Sequence, residues 1–338
     1  MKVDTGVPTD PREAPVEVAQ AAEALGFDGL HTAETAHDPF LSLALVAPAT
    51  SRIELMTSVA IAFARSPTSM AQTAWDIQAL SKGRFVLGLG TQVKAHVERR
   101  FAMPWGPPVP RLREYVGLTR ALWDTWQDGA PLNFRGEHYR ATLMSPFFNP
   151  GKIDHLRPPV YLAGVAPPLL RLTGEIADGL AVHPLHTVPY LREVVQPAIA
   201  AGAKKAGRVP SDVALSIPAF VVTGRTPKER DETRQRIRSQ IAFYASTPSY
   251  APVLEHHGWG EAREQLSALA ARRAWSEMPG LVDDSMMAAF AVDVEPADAG
   301  PALRERYGGL ADRITLYQRF VPGQDDEFWR SLLQALQS

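Results

Sequence analysis

Cysteine is absent from the 338 residues. The chain therefore makes no disulfide, has no thiolate nucleophile and offers no cysteine to a metal. His256 and His257 are adjacent, so on a regular backbone their rings point in different directions, and no metal site is expected. Long apolar runs are also missing, and nothing approaches the ~18 apolar residues that cross a bilayer. Residues 1–11 show no basic start followed by an apolar run, so no secretory leader is read and a cytoplasmic location is expected. Charge of one sign is lacking: Lys+Arg number 35 against 37 Asp+Glu, a net charge of -2. Such a balance gives no field to attract nucleic acid or an anionic membrane, and neither is expected as a partner. The one basic run, from Arg225 to Arg238, is broken by Glu229, Asp231 and Glu232 and reads as a solvated helix face. A Walker loop is missing, and Gly88-Leu89-Gly90 lacks the third glycine of a dinucleotide fingerprint.

What is present is an alternation. Residues 2–7, 27–33, 53–63 and 84–89 read as apolar strands, and amphipathic segments separate them. Val18, Ala21, Ala22 and Leu25 make one helical stripe that Gly26 ends. Asp38-Pro39 and Ser66-Pro67 each pair a side-chain cap with proline at the first helical position. Residues 40–49 are apolar on nearly every side, which predicts a well-buried helix. Met70, Ala74, Ile77 and Leu80 form the next buried stripe, stopped by Gly83. The alternation resumes with strands at 159–163, 180–183, 213–223 and 312–320. Asp28-Gly29-Leu30 and Asp178-Gly179-Leu180 occupy equivalent helix-to-strand joints, a weak internal repeat. Strand–helix alternation of this kind means parallel strands with right-handed crossovers. Eight such strands suit a closed (β/α)8 barrel, an α/β fold that uses the whole length, 1–338, as one domain. Segments 94–110, 131–158 and 246–294 stand outside the alternation and are expected as insertions near the mouth, the second around a small hairpin at Gly136.

In such a barrel the residues just past the C-terminal strand ends face the active site. Those positions are Asp4 to Gly6, Glu34 to Asp38, Ser58 to Ala60, Gly90 to Gln92, Gly164 to Ala166, His183 to His186, Thr223 and Gln318. Gly164-Val165-Ala166 before Pro167 places outward-pointing amides at a helix start, where an anion is favoured. Tyr244, Tyr250, Trp259, Trp275 and Met286 lie in or beside the last insertion and suit either a cavity wall or loop packing.

Several segments, in order and at matching spacing, carry a resemblance: Gly26-Phe27-Asp28-Gly29-Leu30, Thr57-Ser58-Val59, Ala71-Gln72-Thr73-Ala74, Gly83-Arg84-Phe85 with Gly88-Leu89-Gly90-Thr91, and Ala163-Gly164 leading to Ala177-Asp178-Gly179. The chain resembles the luciferase-like oxidoreductases, barrel enzymes that use reduced flavin or the deazaflavin coenzyme F420. Residues 34–40, with Gly90-Thr91-Gln92-Val93-Lys94, resemble the deazaflavin branch. The resemblance implies hydride transfer between F420 and a small organic substrate, by a homodimer. It implies a cis peptide at Ser58-Val59, with Ala60, behind the cofactor ring. It implies that Thr91 and Gln92 line the ring and that Gly164, Val165 and Ala166 hold the phosphate; Asp4 and His183, at their strand ends, are further candidate cofactor contacts. Hydride exchange needs a proton donor or acceptor near the substrate, and Glu34 or His37 could supply it. The sequence departs from a sugar-phosphate branch of the family, with Glu34-Thr35 in place of an Asp-His pair and Val93 in place of a glutamate. Two alternatives remain open: an FMN-dependent monooxygenase on the same barrel, and a barrel that binds its cofactor without catalysis.

Overall fold

A computed structural model describes residues 1–338. Eight parallel strands close on themselves. In order around the ring they are β1 (Lys2–Gly6), β2 (Gly29–Thr32), β3 (Glu54–Thr57), β5 (Phe85–Gly90), β8 (Val160–Ala163), β9 (Gly179–Ala181), β10 (Ala214–Val222) and β12 (Arg313–Leu316), and β12 pairs back onto β1. The short β4 (Ala60–Ile61) continues β3 beside β5, and β11 (Ala291–Asp293) extends the far end of β10. Helices wrap the outside: α1 (Pro15–Leu25), α2 (Pro39–Ala49), α3 (Pro67–Leu80), α5 (Pro108–Asp128), α6 (Pro167–Ile176), α8 (Gln196–Lys205), α13 (Ala299–Tyr307) and α14 (Asp326–Gln337). Short helices α4 (Lys94–Arg99) and α7 (Val188–Tyr190) follow β5 and β9; α9 (Pro227–Ala245), α10 (Ala251–His256), α11 (Gly260–Ala271) and α12 (Asp284–Phe290) follow β10. One core of 76 buried apolar residues runs from Val3 to Leu336. No helix is long and apolar enough to cross a membrane.

The helix signals act as the residues dictate. Asp38 accepts from the Phe40 amide and Ser66 from the Ser69 amide, each before a proline at the first turn. Gly26 and Gly83 end their helices at φ +111° and +85°, a region that favours glycine. Arg84, half-buried at the end of α2, donates to the carbonyls of Ala47, Thr50 and Ile53 and so satisfies the end of that helix.

The base of the barrel explains the internal repeat. The Asp28 carboxylate accepts the Val3 amide while the Asp28 amide donates to the Val3 carbonyl. Asp178 makes the same two bonds with Val160, and Asp312 with Leu215. Each aspartate thus fastens its strand to the neighbouring one. The glycines after the first two make room inside: a Cβ at Gly29 would lie 2.3 Å from the Arg313 guanidinium, and one at Gly179 2.5 Å from the Tyr161 ring.

Four expectations are corrected. The strand expected over 53–63 breaks after Thr57, because the ladder there gains a residue: Met56 faces Val86, but Ala60 faces Leu89. Leu80 is 47% exposed, since α3 ends beyond the core. The helix expected to be buried all round leaves Leu41 and Leu45 on the surface at 58% and 48% exposure. The insertion at 131–158 follows a helix rather than a strand, so it starts from the base and climbs the outer flank to the first turns of α5, where the Tyr139 hydroxyl accepts from Arg111. Its hairpin, β6 (Phe134–Arg135) with β7 (Arg140–Ala141), is held by Glu114 of α5, which accepts the amides of Glu137, His138 and Tyr139. Its return leg accepts side-chain bonds from Trp75 and Gln78 of α3.

Candidate active site

The interior face of each strand sets what the mouth presents. Arg313 reaches Asp4 of β1 and Glu54 of β3, so its face of β12 points inward, and alternation brings Thr315 and Tyr317 in above it. The same logic gives Gly6 on β1, His31 on β2, Gly88 and Gly90 on β5, Ala163 on β8, and Phe220 on β10. Gly88, Gly90 and Ala163 have almost no side chain, so the inner wall is small on the arc of β5 and β8. His31 lies beside Gly6, and burial holds its ring below the usual histidine range, hence neutral.

The Ser58–Val59 peptide is cis, at the break between β3 and β4. Thr57 fills the gap in the ladder with its side chain, donating to the Gly88 carbonyl at 2.8 Å and accepting the Gly88 amide at 2.9 Å. The fit requires glycine, because a Cβ at Gly88 would lie 1.8 Å from the Thr57 carbonyl oxygen. A Cβ at Gly90 would meet the Val59 side chain at 2.8 Å. The glycines that lack a dinucleotide fingerprint therefore serve the bulge.

Glu34 braces this bulge from the other side. Its amide donates to the Val59 carbonyl, and its carboxylate accepts the Ile61 amide at 2.7 Å. Both carboxylate oxygens also bond Arg65, whose guanidinium reaches Asp38 at 2.7 Å. His37 turns outward, 40% exposed, with its ring 3.5 Å from Asp10. The structure does not bring Glu34 and His37 together. Asp4 sits below the mouth, nearly inaccessible, with both oxygens held by Arg313 at 2.7 Å. It supports the barrel interior and does not reach the rim.

Thr91 and Gln92 stand on the rim. Gln92 adopts a left-handed backbone, φ +60°, which its side chain steadies by accepting the Val93 amide. The amides of Gly164, Val165 and Ala166 make no hydrogen bond within the chain. They differ from the helix start expected from sequence, because Pro167 and Pro168 carry no N–H and the next amides, of Leu169 and Leu170, both turn back to the Ala166 carbonyl. Anion-binding capacity therefore lies in the loop before α6.

His183 belongs to a wall of rings. It stacks on Tyr250 with centroids 3.9 Å apart and meets Tyr244 edge-on at 4.7 Å. Its Nδ1 accepts the Leu185 amide, which leaves the proton on Nε2. Burial, then neighbouring His186, pushes His183 down to about 3. Burial likewise pushes His186 to about 4; its Nδ1 donates to the His183 carbonyl and its Nε2 accepts from Tyr307. His256 and His257 separate as their adjacency predicts, one to Glu193 and one to Thr187. Of the five aromatic and Met candidates, Tyr244 and Tyr250 reach the mouth, Met286 is buried in the core, Trp259 stacks on His257, and Trp275 is exposed. Tyr317 and His31 face the mouth although sequence reading did not single them out. A cleft of about 580 Å³ beside Arg192, Pro210 and Gly309 opens at the base, where barrel residues serve stability.

The model of the luciferase-like monooxygenase family matches residues 2–313. The chain belongs to that family. A protein of uncharacterised function from Mycobacterium tuberculosis is 45% identical over 93% of this chain and 92% of its own length. The 5,10-methylenetetrahydromethanopterin reductase of Archaeoglobus fulgidus is 30% identical over 84% of this chain and 83% of its own. Among solved structures, the coenzyme F420 dependent tetrahydromethanopterin reductase from Methanopyrus kandleri superposes with a TM-score of 0.76 at 22% identity, covering 98% of this chain and 97% of that one. An F420-dependent secondary alcohol dehydrogenase gives the same TM-score at 17% identity, covering 100% and 99%. At these identities the two structures establish the barrel fold and leave the chemistry to the site.

Proposed function

We propose that this luciferase-like protein is an oxidoreductase that binds coenzyme F420 and exchanges a hydride with a small organic substrate. The observation that carries the reading is the run of three unpartnered amides, Gly164 to Ala166, on the same side of the mouth as the Ser58–Val59 bulge and the glycine and alanine arc. A flat ring carrying a phosphate side chain fits that combination: amides for the anion, a main-chain support, and no side chains in the way. Ser58, Val59 and Ala60 would lie behind the ring, Thr91 and Gln92 beside it, and His183 at its far edge. The deazaflavin, when bound, supplies a carbon that gives or takes a hydride. A relative named as a “putative coenzyme F420-dependent oxidoreductase”, 33% identical over 50% of this chain, supports F420 over FMN.

Glu34 is assigned to positioning rather than proton transfer, because an arginine and an amide already occupy its carboxylate. Glu34→Gln should then weaken F420 affinity and turnover together, about tenfold, as for a hydrogen bond to a charged group. Loss of turnover alone, with a shifted pH profile, would return Glu34 to proton transfer. The deciding experiment is titration of the apoprotein with F420 and with FMN, read by fluorescence quenching. Tighter F420 binding supports the reading; tighter FMN binding replaces it with oxygenation, and binding of both without turnover leaves a cofactor carrier.

We also propose a homodimer. Leu41, Leu45 and Leu80 are exposed on α2 and α3, and Leu143, Phe147, Phe148 and Leu156 are exposed on the strap against α3. That flank has the apolar character of a covered surface.

A further inference from the structure

The wall of rings faces the bulge across the barrel. In the ring of eight strands, β10 stands opposite β3, and β12 opposite β5. Tyr317, at the inward-facing end of β12, packs its ring on Phe220 of β10 at 4.8 Å. Its hydroxyl lies 2.5 Å from that of Tyr244, which arrives from the end of α9. Tyr244 is in turn edge-on to His183 and to Tyr250. Tyr317 is the exposed member, at 44%.

This wall has a definite chemistry. It is apolar over most of its area and carries no charge. Its polar atoms are three tyrosine hydroxyls and the His183 Nε2–H. The cations nearby are already matched, Arg65 by Glu34 and Asp38, Arg313 by Asp4 and Glu54, and Arg319, at the rim beside Gly6, by Glu13. A carboxylate or phosphate on the substrate would find no free partner there. An oxygen that stays uncharged would. A tyrosine hydroxyl both donates and accepts, so Tyr317 can donate to a carbonyl and accept from the corresponding alcohol. Because Tyr244 takes the other half of that capacity, the hydroxyl is held in one place while its sense reverses. His183 cannot do this, because its Nδ1 is committed to Leu185 and only a donor remains.

We propose that the Tyr317 hydroxyl, positioned by Tyr244, anchors the oxygen of a flat, uncharged substrate, an aryl ketone or its alcohol, on the side of the mouth opposite the bulge. The proposal rests on the reading of the bulge side as the cofactor site and names what faces it. Tyr317 touches substrate; Tyr244 acts through it.

The test uses F420-loaded protein and acetophenone with a ¹³C-labelled carbonyl, read by infrared difference spectroscopy. In the unaltered protein the carbonyl band should move to lower frequency on binding. In Tyr317→Phe most of that shift should vanish and acetophenone affinity should fall about tenfold, with F420 quenching retained. Tyr244→Phe should give an intermediate shift. Tyr317→Phe deletes one oxygen from a half-exposed side chain, so the fold is kept, and a matched thermal melt verifies it. A band that does not move in the unaltered protein, or moves equally in Tyr317→Phe, overturns the proposal, as does failure to bind either acetophenone or 1-phenylethanol. Absence of F420 quenching in the unaltered protein instead overturns the cofactor reading, and the two failures are separate.

Discussion

The two halves of the barrel mouth are built from different material. On the β3, β5 and β8 side the molecule presents main chain: a bulge, glycines packed against it, and three free amides. On the β9, β10 and β12 side it presents side chains, several delivered by the segment after β10. Main-chain groups recognise what is common to every turnover, a ring and an anion, with geometry fixed by the ladder itself. Rings supplied from loops recognise what can differ, the body of a substrate. The division predicts that substitutions on the first side strike the fold and the cofactor together, while those on the second alter ligand choice alone.

The largest expected break is at Gly88. An alanine Cβ would overlap the Thr57 carbonyl, and neither backbone can retreat, so Gly88→Ala should destabilise by about 3 kcal/mol or more and abolish F420 quenching. Quenching equal to that of the unaltered protein would end the assignment of the bulge side to the cofactor. Asp4→Asn comes next. It leaves Arg313 buried with Glu54 alone, and the melt should show a loss of about 3 kcal/mol while F420 affinity stays unchanged. The opposite pattern, normal stability with weak binding, would restore Asp4 as a cofactor ligand.

Acid sharpens the comparison because two neutral buried histidines lie on the ring side, while a third, His31, lies on β2. His183 and His186 fold with values of about 3 and 4, below the ~6.5 of an unfolded histidine. Between about pH 6.5 and 4 the unfolded chain binds more protons, so stability must fall as pH drops, by at most about 1.4 kcal/mol per pH unit for each histidine. Urea midpoints at pH 7 and pH 5 measure the slope, and His186→Asn should flatten it. An unchanged slope would mean His186 is not held neutral. The smallest change in stability is expected from Leu45→Arg, within about 0.5 kcal/mol for a surface position. Light scattering should nevertheless report monomer in place of dimer; dimer in both would move the interface off α2.

Most of the barrel was legible because its signals are local. A cap followed by proline, a helix ended by glycine and an apolar run of strand length each act within a few residues. The eight strands came from these alone. What escaped depends on distant partners. The break after Thr57 follows from the fit of that residue to Gly88; the strand pattern misses it, and only the family resemblance points to the cis peptide at Ser58–Val59. Tyr317 was missed, and Gln318 considered instead, because the inward face of β12 is set by Arg313 meeting Asp4, more than three hundred residues away in sequence. Glu34 and His37 were close enough in sequence to suggest a pair, but one is drawn to Arg65 and the other to Asp10. The outward turn of Leu80 and the outer course of residues 131–158 depend on where α3 and α5 end relative to the core, which helical periodicity does not encode.

The aspartates at the base have a consequence for how the chain finds this arrangement. Asp28, Asp178 and Asp312 each trade two bonds with one residue of the adjoining strand, and those three junctions lie apart around the ring. A strand that docked one residue out of step would turn its apolar set away from the core. It would also leave a carboxylate facing a carbonyl rather than an amide, a repulsive contact in place of an attractive one. The three junctions therefore act as checks on alignment during assembly, adding a polar penalty to the loss of burial that a near-miss pairing already carries.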